Sequence, residues 1–235
     1  MLETLRDYPY YYIKLLYKDM GDGILSGLNI TLEDDNFYIH EGIFKINGEI
    51  YFLTKTFCME VLKGIHYVYL TVLEHKKVDG IEYEIQIKQE QAETKDSFEL
   101  FRYIKSLKIL EYQSIDEIFL KSIMNRIDRT HVKQSIIGGS TLCSEYFKFY
   151  ANAILENKNA CMTDIAFAYQ CLNGINDIHL LKNYFQSDSL TNEEILSKMK
   201  DQLDSLEELK SQENKIKNTN IEKPKKSEHQ IEVSR

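Results

Sequence analysis

Histidines and cysteines are the residues best equipped to hold a metal or carry a nucleophile, and their spacing in this chain favours neither. The 6 histidines, His40, His66, His75, His131, His179 and His229, form no HExxH or HxH pattern that would bring two imidazoles to one ion. The 4 cysteines, Cys58, Cys143, Cys161 and Cys171, make no CxxC pair. Cys161, Cys171 and His179 lie close in sequence but at no zinc-ligand spacing, so they read as small core thiols beside a lone histidine. Asp34-Asp35 and Glu193-Glu194 lack the glycine and alternating ligands of a calcium loop; they read as a solvated turn and a helix start. Gly138-Gly139-Ser140-Thr141 lacks the lysine with which a P-loop reaches phosphate. It reads as a flexible joint followed by a helix cap, with anion binding at that helix start as the weaker alternative. No GxSxG nucleophile elbow occurs. The expectation is a chain that is not an enzyme, with no catalytic residue, no cofactor and no metal; dispersed active-site residues, which leave no local signature, are the alternative.

Charge narrows the partners. The net charge is −8 and no segment carries a dense Lys/Arg stripe, which argues against nucleic acid. No run of 18 apolar residues and no apolar leader is present, so neither membrane insertion nor export is expected, and the thiols point to a reducing cytoplasm.

The elements that must position any site follow from hydrophobic period. Residues 7–20 place Tyr12, Leu16 and Met20 on one helical face with Ile13 and Tyr17 beside it, and Asp7 and Pro9 suit the first turn. After Gly21-Asp22-Gly23 the period becomes two: Leu28, Ile30 and Leu32 alternate with polar residues. Phe37–Ile39, a turn at Gly42, Ile43–Ile46 and Ile50–Leu53 read as further strands, with Asn47-Gly48 as a type I′ hairpin turn. A second hairpin sets Tyr67, Tyr69 and Thr71 against Ile81, Tyr83, Ile85 and Ile87, joined near Asp79-Gly80, and Phe98–Leu110 is another strand. Beyond residue 114 an irregular stretch, partly helical at Asp116–Met124, leads to helices. The first starts at Ser140 or Thr141 and buries Leu142, Tyr146, Tyr150 and Ile154. Others are expected over Thr163–Leu172 with Gly174 after it, over His179–Phe185, and from a Thr191/Glu194 capping box onward. The class is therefore α+β: a short N-terminal helix (1–25), an antiparallel β-sandwich or roll (26–112), a connector (113–139), a helical module (140–210), and a polar tail (211–235) that only a partner would order.

Tyrosine is over-used, with 16 copies and no Trp, which favours either strand surfaces or broad protein contacts. The interface candidates are Tyr10, Tyr11, Tyr12 and Tyr17 on the first helix, Tyr67 and Tyr69 on the second hairpin, and Leu203 and Leu206 on the last helix. Leu196, Met199, Leu203 and Leu206 follow 3-4-3 spacing, which suits packing on the chain's own helices better than a two-heptad coiled coil.

The stretch SGLNITLEDDNFYIHEGIFKINGEIYFL, Ser26 to Leu53, resembles the opening β-module of phage tail-fibre and baseplate proteins, with Gly23-Ile24, Gly27-Leu28, Gly42-Ile43 and Gly48 in the same order. Together with YPYYYIKLLYKDMGDGILSGL, FELFRYIK and GGSTLCSEYFKFYANAIL it is similar, over about residues 7–185, to small proteins of clostridial phage-tail and tail-like bacteriocin clusters. That resemblance implies a virion structural component, in the baseplate of a contractile particle, that attaches or links the receptor-binding fibre and wedge proteins. It also implies wedge, hub or fibre subunits as partners, several copies in a symmetric assembly, and a location in the cytoplasm during assembly and then in the released particle. A carbohydrate-binding module for a cell-surface glycan, with tyrosines as stacking platforms, is the alternative.

Overall fold

The computed structural model describes residues 2–77, 80–94, 97–105 and 127–221, with side chains over 8–77, 82–94, 97–105 and 127–209. The chain opens with helix α1 (Leu2–Leu16), which begins upstream of the expected residue 7 and carries Pro9 inside it. Proline has no N–H for the carbonyl four residues back, so α1 tolerates one missing backbone bond there rather than starting at it. Strands β1 (Gly23–Gly27), β2 (Ile30–Glu33), β3 (Asn36–Ile39), β4 (Gly42–Ile46), β5 (Glu49–Leu53) and β6 (Phe57–Glu60) follow. The long hairpin strands β7 (Gly64–Lys77) and β8 (Gly80–Glu90) precede β9 (Phe98–Lys105). After the described chain resumes come β10 (Gln134–Ile136), β11 (Gly139–Thr141) and helices α2 (Ser144–Glu156), α3 (Met162–Asn173), α4 (Ile178–Phe185) and α5 (Asn192–Ile221). The α+β class holds.

The strands make three sheets, ordered β11-β10-β1-β4-β5, β2-β3-β6 and β8-β7-β9. All pairings are antiparallel except β1 with β10. Leu28, Ile30 and Leu32 do not form one strand as their alternation suggests. Leu28 sits at φ 53, a left-handed position that turns the chain out of the first sheet and into the second, and its fully buried side chain holds the corner in place. The Asn47-Gly48 turn is as expected, with φ 53 and 80, and the Asp22 carboxylate accepts both turn amides at 2.8 and 3.0 Å. Asp34 and Asp35 make the same double positive-φ turn between β2 and β3, at φ 47 and 62.

Two hydrophobic cores result. One joins the sheets through Phe37, Ile39, Phe44, Val68, Leu70, Phe101 and Tyr103. The other joins the helices through Leu142, Tyr146, Tyr150, Ile154, Phe167, Leu181, Met199 and Leu206. The expected helix over Ser140 or Thr141 starts later, at Ser144, because residues 139–141 are drawn into β11. The expected connector thus supplies β10 to the first sheet, β11 spans the expected boundary between connector and helical module, and Ile24 pairs with Gln134 across the modules. Gly174 ends α3 at φ 89, and Thr191 and Glu194 exchange the two capping bonds at the start of α5. The backbone of α5 continues to Ile221, past the expected end of the helical module at 210. The expected helix at Asp116–Met124, the end of the Phe98–Leu110 strand, Asp79 and the tail beyond 221 lie outside the described residues.

Candidate functional site

The N-terminal helix is fixed at its C-terminal end and open along one side. Lys45 on β4 is buried, and its Nζ donates to the carbonyls of Tyr17, Lys18 and Met20 at 3.1, 3.4 and 2.6 Å. An ammonium among the carbonyls after a helix bonds those that lack an intrahelical partner, here beside Tyr17 O, which also accepts the Met20 amide at 3.2 Å, and opposes the negative end of the helix dipole. The chain that follows is stitched to the β10–β11 hairpin: Gly21 N–H donates to Ile136 O at 3.0 Å, Gly138 N–H to Asp19 O at 2.9 Å, and Ser135 Oγ to Gly21 O at 2.5 Å. The approach is so close that a Cβ on Gly21 would lie 2.2 Å from Gly139 O. Higher up, Lys14 pairs with Glu49 at 2.7 Å and the Tyr10 ring meets Phe52 edge-on at 6.4 Å.

These contacts use the side of α1 that carries Tyr10, Ile13, Lys14 and Tyr17. The other side carries Tyr8, Tyr11, Tyr12, Leu15 and Leu16, at positions i, i+3, i+4, i+7 and i+8, which is the spacing of a core-facing stripe. They are 65, 63, 56, 49 and 57% exposed. A helix whose apolar stripe faces solvent while its other side is pinned to a sheet is arranged as a docking element.

The interface candidates read from sequence divide accordingly. Tyr11 and Tyr12 lie on the stripe, Tyr10 is exposed at its edge, and Tyr17 is half-buried at the anchor. Tyr8, Leu15 and Leu16 were not among the candidates, although their spacing to Tyr11 and Tyr12 was the available signal. Tyr69 is 3% exposed and its hydroxyl accepts the Thr94 amide at 3.0 Å, so it cannot line an interface of the folded chain. Tyr67 is half-buried beneath the Arg102 guanidinium, 4.9 Å from the ring centre. Leu203 and Leu206 are buried in the chain's own helical core, where the 3-4-3 spacing places them, and are likewise withdrawn as interface residues.

The polar clusters are closed in a different sense. A cleft of about 250 Å³ is lined by Tyr69, Glu93, Glu99, Arg102, His131 and Lys133 among others. Arg102 occupies both its carboxylates, Glu99 at 2.5 and 3.0 Å and Glu93 at 2.7 Å, while His131 faces Glu193 at 3.2 Å. Burial alone would lower the pKa of Arg102; Glu99 and Glu93 reverse this and hold it cationic. In the helical module Asp164 accepts from Tyr184 Oη at 2.8 Å, Gln202 Nε2 at 3.1 Å and the Cys161 amide at 3.1 Å, tying α3, α4 and α5 together. Where the modules meet, Arg129 pairs with Glu145 at 3.0 Å and the Tyr146 hydroxyl approaches Asp128 at 3.4 Å.

Among the described residues no group of three His, Cys, Asp or Glu side chains is placed to hold a metal. Cys143 and Cys171 are buried, and burial raises both thiols, Cys171 to about 12, which leaves them protonated and inert at neutral pH. Cys161 departs from the core reading: it is exposed at the start of α3. No helix among the described residues is long and apolar enough to cross a membrane. Compared with protein-family models, curated proteins and solved structures, the chain has no match.

Proposed function

We propose that this chain is a non-enzymatic structural component of a phage or phage-tail-like particle, seated in the baseplate, where it attaches or links the receptor-binding fibre and wedge proteins. The observation that carries this reading is the solvent-facing stripe of Tyr8, Tyr11, Tyr12, Leu15 and Leu16 on a helix whose base is locked by Lys45. Large aromatic side chains on a pre-positioned helix bind a partner with little ordering cost, as a structural joint requires. The tail-protein identity of that partner rests on the resemblance of Ser26–Leu53 and the aromatic helix to tail and baseplate modules.

A glycan platform on the second hairpin would need several open rings there: Tyr69 is buried, Tyr67 lies under Arg102, and Tyr83 is the exposed member of that trio, so the hairpin does not favour the glycan reading. Deleting the gene from a producing strain and purifying its particles tests the proposal. Incomplete or inactive particles are expected; intact particles with full infectivity or killing activity would refute it.

A further inference from the structure

Strand β8 closes the β8-β7-β9 sheet on one side, and among the described residues no strand pairs with its outer edge. It is 11 residues long, pairs with β7 from Gly80 to Glu90 without a bulge, and contains no proline. Such an edge presents a regular row of unpaired N–H and C=O groups, the template on which another strand adds. Many proteins break long edges with a bulge or a proline. Here the only discouragement is charge: Glu82, Glu84, Lys88 and Glu90, exposed and on one face because they alternate.

That charge pattern singles out one partner. When two copies of a strand pair antiparallel about a two-fold axis normal to the sheet, opposed side chains share a face, and the register is set by the central residue. Centring on Glu84 sets Glu84 against its own copy. Centring on Gln86 sets Glu82 against Glu90. Centring on Ile85 opposes Glu82 to Lys88 twice, Glu84 to Gln86 twice and Tyr83 to Ile87 twice, with no like charges opposed. We infer that β8 is a self-association edge: two copies of this chain pair through β8 in the register centred on Ile85, forming a continuous six-stranded sheet, β9-β7-β8 followed by its two-fold copy. The inference is independent of the baseplate reading and concerns the chain's contact with itself.

Sedimentation equilibrium of the full chain across micromolar concentrations, with circular dichroism confirming the fold, tests it. The native chain is expected to dimerise. Glu82→Lys and Lys88→Glu each convert both attractive pairs into like-charge pairs and should weaken the dimer by roughly tenfold or more. Glu82 also pairs with Lys77 within the chain, so the decisive sample is an equimolar mixture of the two variants. In a mixed dimer each cross-strand pair holds one positive and one negative charge: the ammonium introduced by Glu82→Lys faces the carboxylate introduced by Lys88→Glu, and the other pair keeps its native Lys88 and Glu82. Both pairs are then attractive, so a mixed dimer of near-native strength should return. A native chain that stays monomeric, a dimer indifferent to both reversals, or a mixture no stronger than either variant alone would each overturn the pairing.

Discussion

Charged side chains in this protein act mainly as fasteners, and Glu145 shows how such a fastener responds to pH. Burial of Glu145 by itself would raise its pKa, but the Arg129 guanidinium at 3.0 Å outweighs it and holds the carboxyl below its usual 4.5. A carboxyl with a depressed folded-state pKa stabilises the fold above the unfolded value, and that stabilisation disappears as pH falls through the folded value. The urea midpoint should therefore drop as pH is lowered from about 5 toward 3, and Glu145→Gln should flatten this dependence. Equal slopes for both proteins across that window would remove the Arg129–Glu145 pair from the acid response. The pair was not legible in sequence: Arg129 and Glu145 are separated by two strands and a turn, and neither residue type carries a local signal for a long-range partner. The same holds for Lys45, one lysine among many until three carbonyls converge on it.

Elements were more legible where a local rule decided them. Asn47-Gly48 required a tight hairpin, the alternation in IEYEIQIK required a strand, and Thr191 with Glu194 required a helix start; each is present. The misses came where distant chain overrode local preference. Ser140 and Thr141 suit a helix cap, yet pairing with Gln134–Ile136 makes them strand. Leu28 continues an alternating pattern, yet its buried position fixes a left-handed corner. Helix α1 depends on such a distant contact for its attachment, which Lys45→Met isolates. The substitution keeps the length and apolar stem of the side chain but removes the ammonium from the carbonyls of Lys18 and Met20 and leaves Tyr17 O only the Met20 amide, at a cost of about 2 kcal/mol. Hydrogen exchange should lose protection across residues 8–21 while β7–β9 stay protected. Uniform loss over the whole chain, or none in α1, would mean that Lys45 is not what holds the helix.

At the scale of the whole molecule, both hydrophobic cores of the described residues include strands of one five-stranded sheet, so the helical module and the N-terminal helix are both attached to the same sheet. Inside the helical module Asp164 is held by Tyr184, Gln202 and the Cys161 amide, and the outward features are an apolar helix stripe and a strand edge. This division is the one the proposed joint requires, with its apolar stripe left open to another protein. The most direct test is the composition of purified particles from a producing strain that carries the double substitution Tyr11→Ser and Leu15→Ser. Both side chains face solvent, so the free protein should keep its native melting temperature. Mass spectrometry should find the native chain in the particles in fixed ratio to other tail proteins and the variant largely absent. Native chain missing from the particles, or variant present at the native ratio, would contradict docking through the α1 stripe.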